Sequence, residues 1–300
     1  MPALRIVSER EGLPPLIVVQ GGPGLPIYHE IPRYRRLLGL EREFSVAYWE
    51  QPGSGPNPPP RAEPLCLDAL LEELRSIIRT QSERAGAKAT LLGVSLGATL
   101  ALRAAELEGA AVASVIAVSP DLDVAAGDAH AFEVLCEEAK ARGDKRLLRR
   151  ITRLGPPPYP EPERFGERLR LVADSGGIEA GKGYAAILAG TALRLLAAYG
   201  PFGAAAAMRN LAAVQAALLS ELSTLDLFED WPEVETPVHW LFGSRDPLTA
   251  QSTIDEVRRR MKAADSLAIL EEAGHLAHFD RPDGVAEAVL RSPGRAPYRP

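Results

Sequence analysis

The sequence predicts a doubly wound α/β fold, a mostly parallel sheet interrupted by a helical insert. Three observations point there. Six short apolar runs are spread along the chain, and each ends in turn-forming residues. Amphipathic helical patterns lie between them, and strand–helix alternation is the mark of an α/β architecture. From 125 to 225 the chain shows helical patterns and loops but no strand pattern.

The runs are Leu16–Val19, ending in QGGPG; Phe44–Trp49, ending in EQPGSG; Ala89–Val94; Val112–Val118, ending in SPD; Val238–Phe242, ending in GSRDP; and Ser266–Leu270, ending in EEAGH. Their apolarity is continuous rather than alternating, which suits strands covered on both faces. Leu67, Leu70, Leu71, Leu74, Ile77 and Ile78 fall at helical spacing, with Glu72, Glu73, Arg75 and Arg79 on the other side. Leu96–Leu107 is apolar almost all round and predicts a buried helix. Two further helices are expected over Thr249–Met261 and Asp283–Leu290. The core is assigned to 1–124 and 226–300, and the insert, a cap, to 125–225. Inside the insert, GPPPYPEPE at 155–163 and DSGGIEAGKG at 174–183 read as loops, and PNPPPRAEP at 56–64 reads as a stiff connector.

The bulk properties exclude several classes. The chain has 300 residues, 46% hydrophobic and 25% charged, with a net charge of −6, the composition of a globular protein with a sizeable core. No basic stripe suggests nucleic acid. No run of about 18 uncharged apolar residues suggests a membrane span. The first ten residues lack the apolar core of a signal peptide, and a cytoplasmic protein is expected. Cys66 and Cys136 have no metal-ligand spacing and read as free thiols.

The stretch Gly93-Val94-Ser95-Leu96-Gly97 lies between a buried strand and a buried helix. A sharp strand-to-helix turn strains its central residue and crowds the neighbouring backbone. Glycine two residues before and two after relieves that crowding. Such a turn lifts the Ser95 hydroxyl above the sheet and aims the helix N-terminus at developing negative charge. A serine hydroxyl is a weak nucleophile and needs a base, which needs an orienting acid. Asp246 follows the fifth run and His275 the sixth, so both are expected on the rim that carries Ser95. Asp121, after the fourth run, is the alternative acid. Of the other histidines, His29 is placed near the glycine loop, where it can line the site; His130 in loop or cap; His239 within a strand; and His278 at a helix. A tetrahedral intermediate needs two hydrogen-bond donors for its oxyanion. The backbone N–H groups of Leu96 and Gly22 are the candidates, with Gly21 and Pro23 beside the substrate.

Taken together, GGPG at 21–24, EQPGSG at 50–55, GVSLG at 93–97, FGSRDPLT at 242–249 and GHLAHFDRP at 274–282 make the chain resemble the serine α/β-hydrolases, and within them the proline iminopeptidase group. The resemblance implies an α/β-hydrolase fold, a Ser95–Asp246–His275 triad and a cap that sets substrate choice. It departs from the group's pattern at Gln20, Glu50, Pro52 and Leu96, where histidine, aspartate, arginine and tryptophan are usual.

The group uses acidic cap residues to hold a substrate's free amine. Glu161, Glu163, Asp174 and Glu179 are present here but read as solvated surface charge. Tyr184–Leu219 is rich in Ala and Leu. It reads as helices packed on one another, as an apolar lining of the site, or as a surface for a homodimer through the cap. The expected partner is a small-molecule acyl compound or a short peptide, with no nucleic acid and no membrane. No metal or organic cofactor is implied. Hydrolysis of a small ester, thioester, lactone or amide is the leading expectation. Release of an N-terminal residue, as in a proline iminopeptidase, is the second, and a binding protein of the same fold without catalysis is the third.

Overall fold

The computed structural model describes residues 3–59 and 64–292, so part of the proline-rich connector lies outside the described residues. Seven strands form one sheet: β1 (Ala3–Val7), β2 (Pro15–Val19), β3 (Ser45–Glu50), β4 (Ala89–Val94), β5 (Val112–Val118), β6 (Val238–Gly243) and β7 (Ser266–Leu270). Their order is β1-β3-β2-β4-β5-β6-β7. β1 runs antiparallel to β3, and every other pairing is parallel.

The six apolar runs become six of these strands, and the reason for their continuous apolarity is visible. Ile17, Val19, Ala47, Trp49 and Leu91 enter the core on one face. Their neighbours Leu16, Val18, Val46, Tyr48 and Leu92 enter the core on the other. Helices cover both faces, so neither parity of side chain meets water. The helices are α1 (Ile31–Leu38), α2 (Leu67–Ala85), α3 (Leu96–Leu107), α4 (Val124–Ala141), α5 (Lys145–Leu154), α6 (Pro162–Asp174), α7 (Tyr184–Leu222), α8 (Gln251–Arg260), α9 (Ala277–Asp280) and α10 (Pro282–Leu290).

Two elements are absent from the sequence reading. β1 is an edge strand with two exposed positions and an arginine inside it, so its apolar signal is broken. α1 buries only Ile31, Tyr34 and Leu38, and its three arginines mask the stripe.

Helices α4 to α7 make up the insert between β5 and β6. An isolated antiparallel bridge between Asp123 and Asp226 closes its base. α7 spans 39 residues and bends at Gly200, whose φ of 67° and ψ of 177° are not helical, followed by Pro201. By length and composition it is the one helix among the described residues apolar enough to cross a membrane, which the sequence expectation did not anticipate. Here it is tied to the core instead. Arg194 Nε donates to Glu30 at 3.1 Å. Tyr199 Oη donates to Glu50 at 2.8 Å, and Asn210 Nδ2 to the Gly55 carbonyl at 2.9 Å. Val214, Leu218, Leu219 and Leu222 join the main core.

Candidate active site

Ser95 sits between β4 and α3 with φ +53°, a value that costs a non-glycine residue on the order of 1–3 kcal/mol and survives only where packing imposes it. The flanking glycines show what imposes it. A Cβ on Gly93 would stand 2.4 Å from the Ala98 Cα, and one on Gly97 would stand 2.1 Å from the Val19 carbonyl oxygen. The backbone therefore approaches itself more closely than any side chain allows. The Ser95 N–H is held by the Val118 carbonyl at 2.9 Å.

The three residues picked from the sequence meet at the carboxyl end of the sheet. His275 Nε2 lies 3.0 Å from Ser95 Oγ, and His275 Nδ1 lies 2.8 Å from Asp246 Oδ2. All three are buried. Asp246 is fixed from both sides: Oδ1 accepts from the Leu248 N–H and Oδ2 from the Thr249 hydroxyl, each at 2.9 Å. Burial works against a charged His275. The Asp246 carboxylate, and behind it Asp121, outweigh that penalty and hold the imidazole above its ordinary pKa.

The loop at 174–183 helps to place His275. The carbonyls of Gly177 and Ile178 accept from the His275 and Leu276 N–H groups, both at 2.8 Å. Asp280 Oδ2 ties the same region, accepting from the N–H groups of Gly274 and Ala180 at 2.9 Å each.

Asp121 does not orient the imidazole. Its Oδ2 lies 3.0 Å from Ser95 Oγ itself, and its backbone carbonyl accepts from the Thr99 hydroxyl at 2.6 Å. Burial pushes its carboxyl pKa up, against the pull of His275 and Arg168.

Gly21, Gly22 and Pro23 line the same cavity as Ser95. A Cβ on Gly21 would stand 3.1 Å from the Ser95 Cβ, so the glycine loop lies directly against the Ser95 turn. Leu96 is the first residue of α3, where backbone N–H groups lack partners within the helix.

The cavity measures about 300 Å³. Its walls are mainly apolar, with Leu25, Phe165, Ile187, Leu195, Leu211 and Phe279 among them. α7 thus contributes a lining and not only helix-to-helix packing.

One part of the wall is polar. His29 lies there, with Nε2 3.2 Å from Glu30. Glu179, read from the sequence as surface charge, is also there and only 3% exposed. Arg33 and Lys182 grip it, each at 2.6 Å. Burial raises its pKa, but these two cations overcome that and bring it down to about 2. No local pattern signals this pairing, because Arg33 and Glu179 stand far apart in the chain. Glu161, Glu163 and Asp174 are not buried.

Glu30 and Arg194 also escaped the sequence reading, and Glu50 entered it only as a departure from the group's pattern. Glu50 is buried and accepts from the Ile27 N–H at 3.2 Å and from Tyr199. A carboxylate closing a buried strand in EQPGSG was the one available signal. His278 is buried in α9, stacked with Tyr34 and against Phe279. Burial, with Arg33 nearby, pushes its pKa down to about 3, so it is a neutral packing group. His239 Nδ1 meets Ser266 Oγ at 2.8 Å. His130 lies on α4, and Cys66 and Cys136 are free.

A seven-stranded sheet with a serine at the sharp turn after its central strand, facing an imidazole and a carboxylate, is the architecture of a hydrolase superfamily. The chain belongs to the alpha/beta hydrolase family, whose model matches residues 17–288. Among solved structures it is similar to a proline iminopeptidase-related protein from Thermus thermophilus, with 23% identity over 95% of this chain and 90% of that one and a TM-score of 0.63. It is also similar to an enol-lactonase from Burkholderia xenovorans, with 16% identity over 96% and 94% of the two chains and a TM-score of 0.58. An N-formylmaleamic acid deformylase from Pseudomonas putida shares 17% identity over 95% and 94%, with a TM-score of 0.59. At these identities the likeness is one of fold. No curated protein matches the chain significantly.

Proposed function

We propose that the protein is a serine hydrolase acting through an acyl-enzyme on Ser95. The observation that carries this reading is the continuous contact from Asp246 through His275 to Ser95 at the wall of a mainly apolar cavity. Ser95 attacks the substrate carbonyl while His275 takes its proton, and Asp246 stabilises the imidazolium. The N–H groups of Leu96 and Gly22 hold the oxyanion, each worth about 3 kcal/mol of barrier. Gly21, Pro23 and His29 border the bound substrate.

The substrate is an ester, thioester, lactone or amide with an apolar acyl group. The walls favour this over a free peptide amine, because two buried acids of the polar wall, Glu30 and Glu179, are already paired with cations. Glu30 pairs with Arg194 at 2.9 Å, and Glu179 with Arg33 and Lys182.

A fluorophosphonate probe tests the nucleophile. It should label the native protein and not Ser95→Ala; no labelling, or labelling elsewhere, defeats the reading. A proline arylamide assayed beside short and medium acyl esters separates the acyl hydrolase from an iminopeptidase. Ligand retention without turnover would mark a binding protein.

The cap also supports pairing of two copies. Leu193, Leu196 and Phe202 of α7 are 68%, 47% and 90% exposed, and exposed apolar side chains of this size are the raw material of interaction surfaces.

A further inference from the structure

Ser95 Oγ has two neighbours that compete for its proton. His275 Nε2 and Asp121 Oδ2 each lie 3.0 Å away. A hydroxyl has one proton to give and lone pairs to receive others. His275 Nδ1 faces an Asp246 oxygen that already accepts from Thr249, so Nδ1 carries the proton of that contact. If Ser95 donates to Nε2, Asp121 closes its own contact only by donating. If Ser95 donates to Asp121, then Nε2 must be protonated. Either way the group holds one proton more than a serine, a neutral imidazole and a carboxylate would bring. The first arrangement leaves a neutral acid in a buried place, where a charge is costly.

Topology says where that proton can go. Strand β4 carries Ser95, with β2 and its glycine loop on one side. On the other side come β5, which leads to Asp121, then β6 and β7, which lead to Asp246 and His275. The glycine loop that carries Gly22 and the Asp121 that follows β5 therefore lie on opposite sides of β4. A leaving group departs on the side of the histidine, and Asp121 is on that side. It also lines the cavity.

We propose that Asp121 is a second proton donor of the site, delivering its carboxyl proton to the leaving group. The inference rests on the acyl-enzyme reading above. In acylation, Ser95 Oγ bonds to the carbonyl carbon and its proton passes to His275 Nε2. As the bond from carbon to the leaving atom breaks, that atom keeps the electron pair and takes the Asp121 proton. The site then holds an Asp121 carboxylate beside a His275 imidazolium. In deacylation, water adds to the acyl carbon and loses a proton to Asp121. The bond from carbon to Oγ breaks, and Ser95 recovers its proton from His275. Protons and charges return to their starting state. The substrates that need such a donor are amides and alkyl esters, whose leaving groups are strong bases; a nitrophenolate leaves without one.

The test compares substrates that share one acyl group and differ in leaving group. Asp121→Asn preserves the shape and a donor to Ser95 but has no proton to transfer. In kcat/KM, which reports acylation and not the deacylation step that all these substrates share, it should cost an alkyl ester and an anilide about 10²-fold or more and the nitrophenyl ester less than about tenfold. An equal loss across all leaving groups, or no loss, overturns the proposal. Asp121→Glu keeps the carboxyl and should retain the native ratio between substrates even at lower overall rate. A steepened dependence in that variant also overturns it. Fluorophosphonate labelling of each variant reports that Ser95 is still presented. If the native protein fails to label, the acyl-enzyme reading falls independently of Asp121.

Discussion

Asp246 Oδ2 lies 2.8 Å from His275 Nδ1 and also receives the Thr249 hydroxyl. The carboxylate is thereby locked before any substrate arrives, and the imidazole has one orientation and one tautomer. On the proposed mechanism the neutral ring is the base, and with its pKa raised the acid limb of kcat/KM should lie above the ordinary imidazole value. Activity is lost as pH falls through that pKa. Asp246→Asn should cut kcat by about 10⁴-fold with the fold intact and move the limb to lower pH, which a pH–rate profile measures.

Gly97→Ala should abolish fluorophosphonate labelling and destabilise the protein by several kcal/mol. The added methyl would meet the Val19 carbonyl, which belongs to the central sheet and cannot yield. Thermal denaturation followed by circular dichroism, with labelling on the same samples, gives both outcomes.

Glu179 should contribute to acid stability. Its pKa is held near 2 in the folded state, below its unfolded value. A depressed carboxylate stabilises above the unfolded pKa, and that contribution is lost as pH falls towards 2. Denaturant titrations of the native protein and Glu179→Gln should therefore converge by about 3 kcal/mol between pH 7 and pH 2.

Acyl-chain preference should follow the cavity. Each methylene buried is worth about 0.8 kcal/mol, so kcat/KM should rise roughly fourfold per methylene until the chain meets the far wall. Leu211→Trp, which fills part of the cavity, should move that limit to shorter chains while acetyl esters are still cleaved. A series of nitrophenyl esters reads the shift directly.

Phe202→Asp and Leu193→Asp should convert a dimer to a monomer in light scattering after gel filtration. Both residues are exposed on α7, and neither lines the cavity. A native protein that is already monomeric at high concentration would refute the pairing.

Much of the core was legible because its signals are local. A strand buried on both faces must be apolar throughout, and Leu16–Val19 and Val112–Val118 show that directly. The tight turn at Ser95 needs glycine at 93 and 97 for steric reasons that hold within a few residues. The order of Ser95, Asp246 and His275 after successive strands followed from the same logic. β1 and α1 were lost because half-exposed elements carry charge on the exposed side and so blur their period.

The chain alone therefore determined the sheet, the tight turn at Ser95 and that Asp246 and His275 would share its rim, since each is written in neighbouring residues. Only the tertiary structure decided that Asp121 would touch Ser95 rather than His275, and that Arg33 would claim Glu179 across 146 positions. Those pairings depend on how separate loops and the cap settle against the sheet. Their energy comes from burial and charge across contacts that no local pattern encodes.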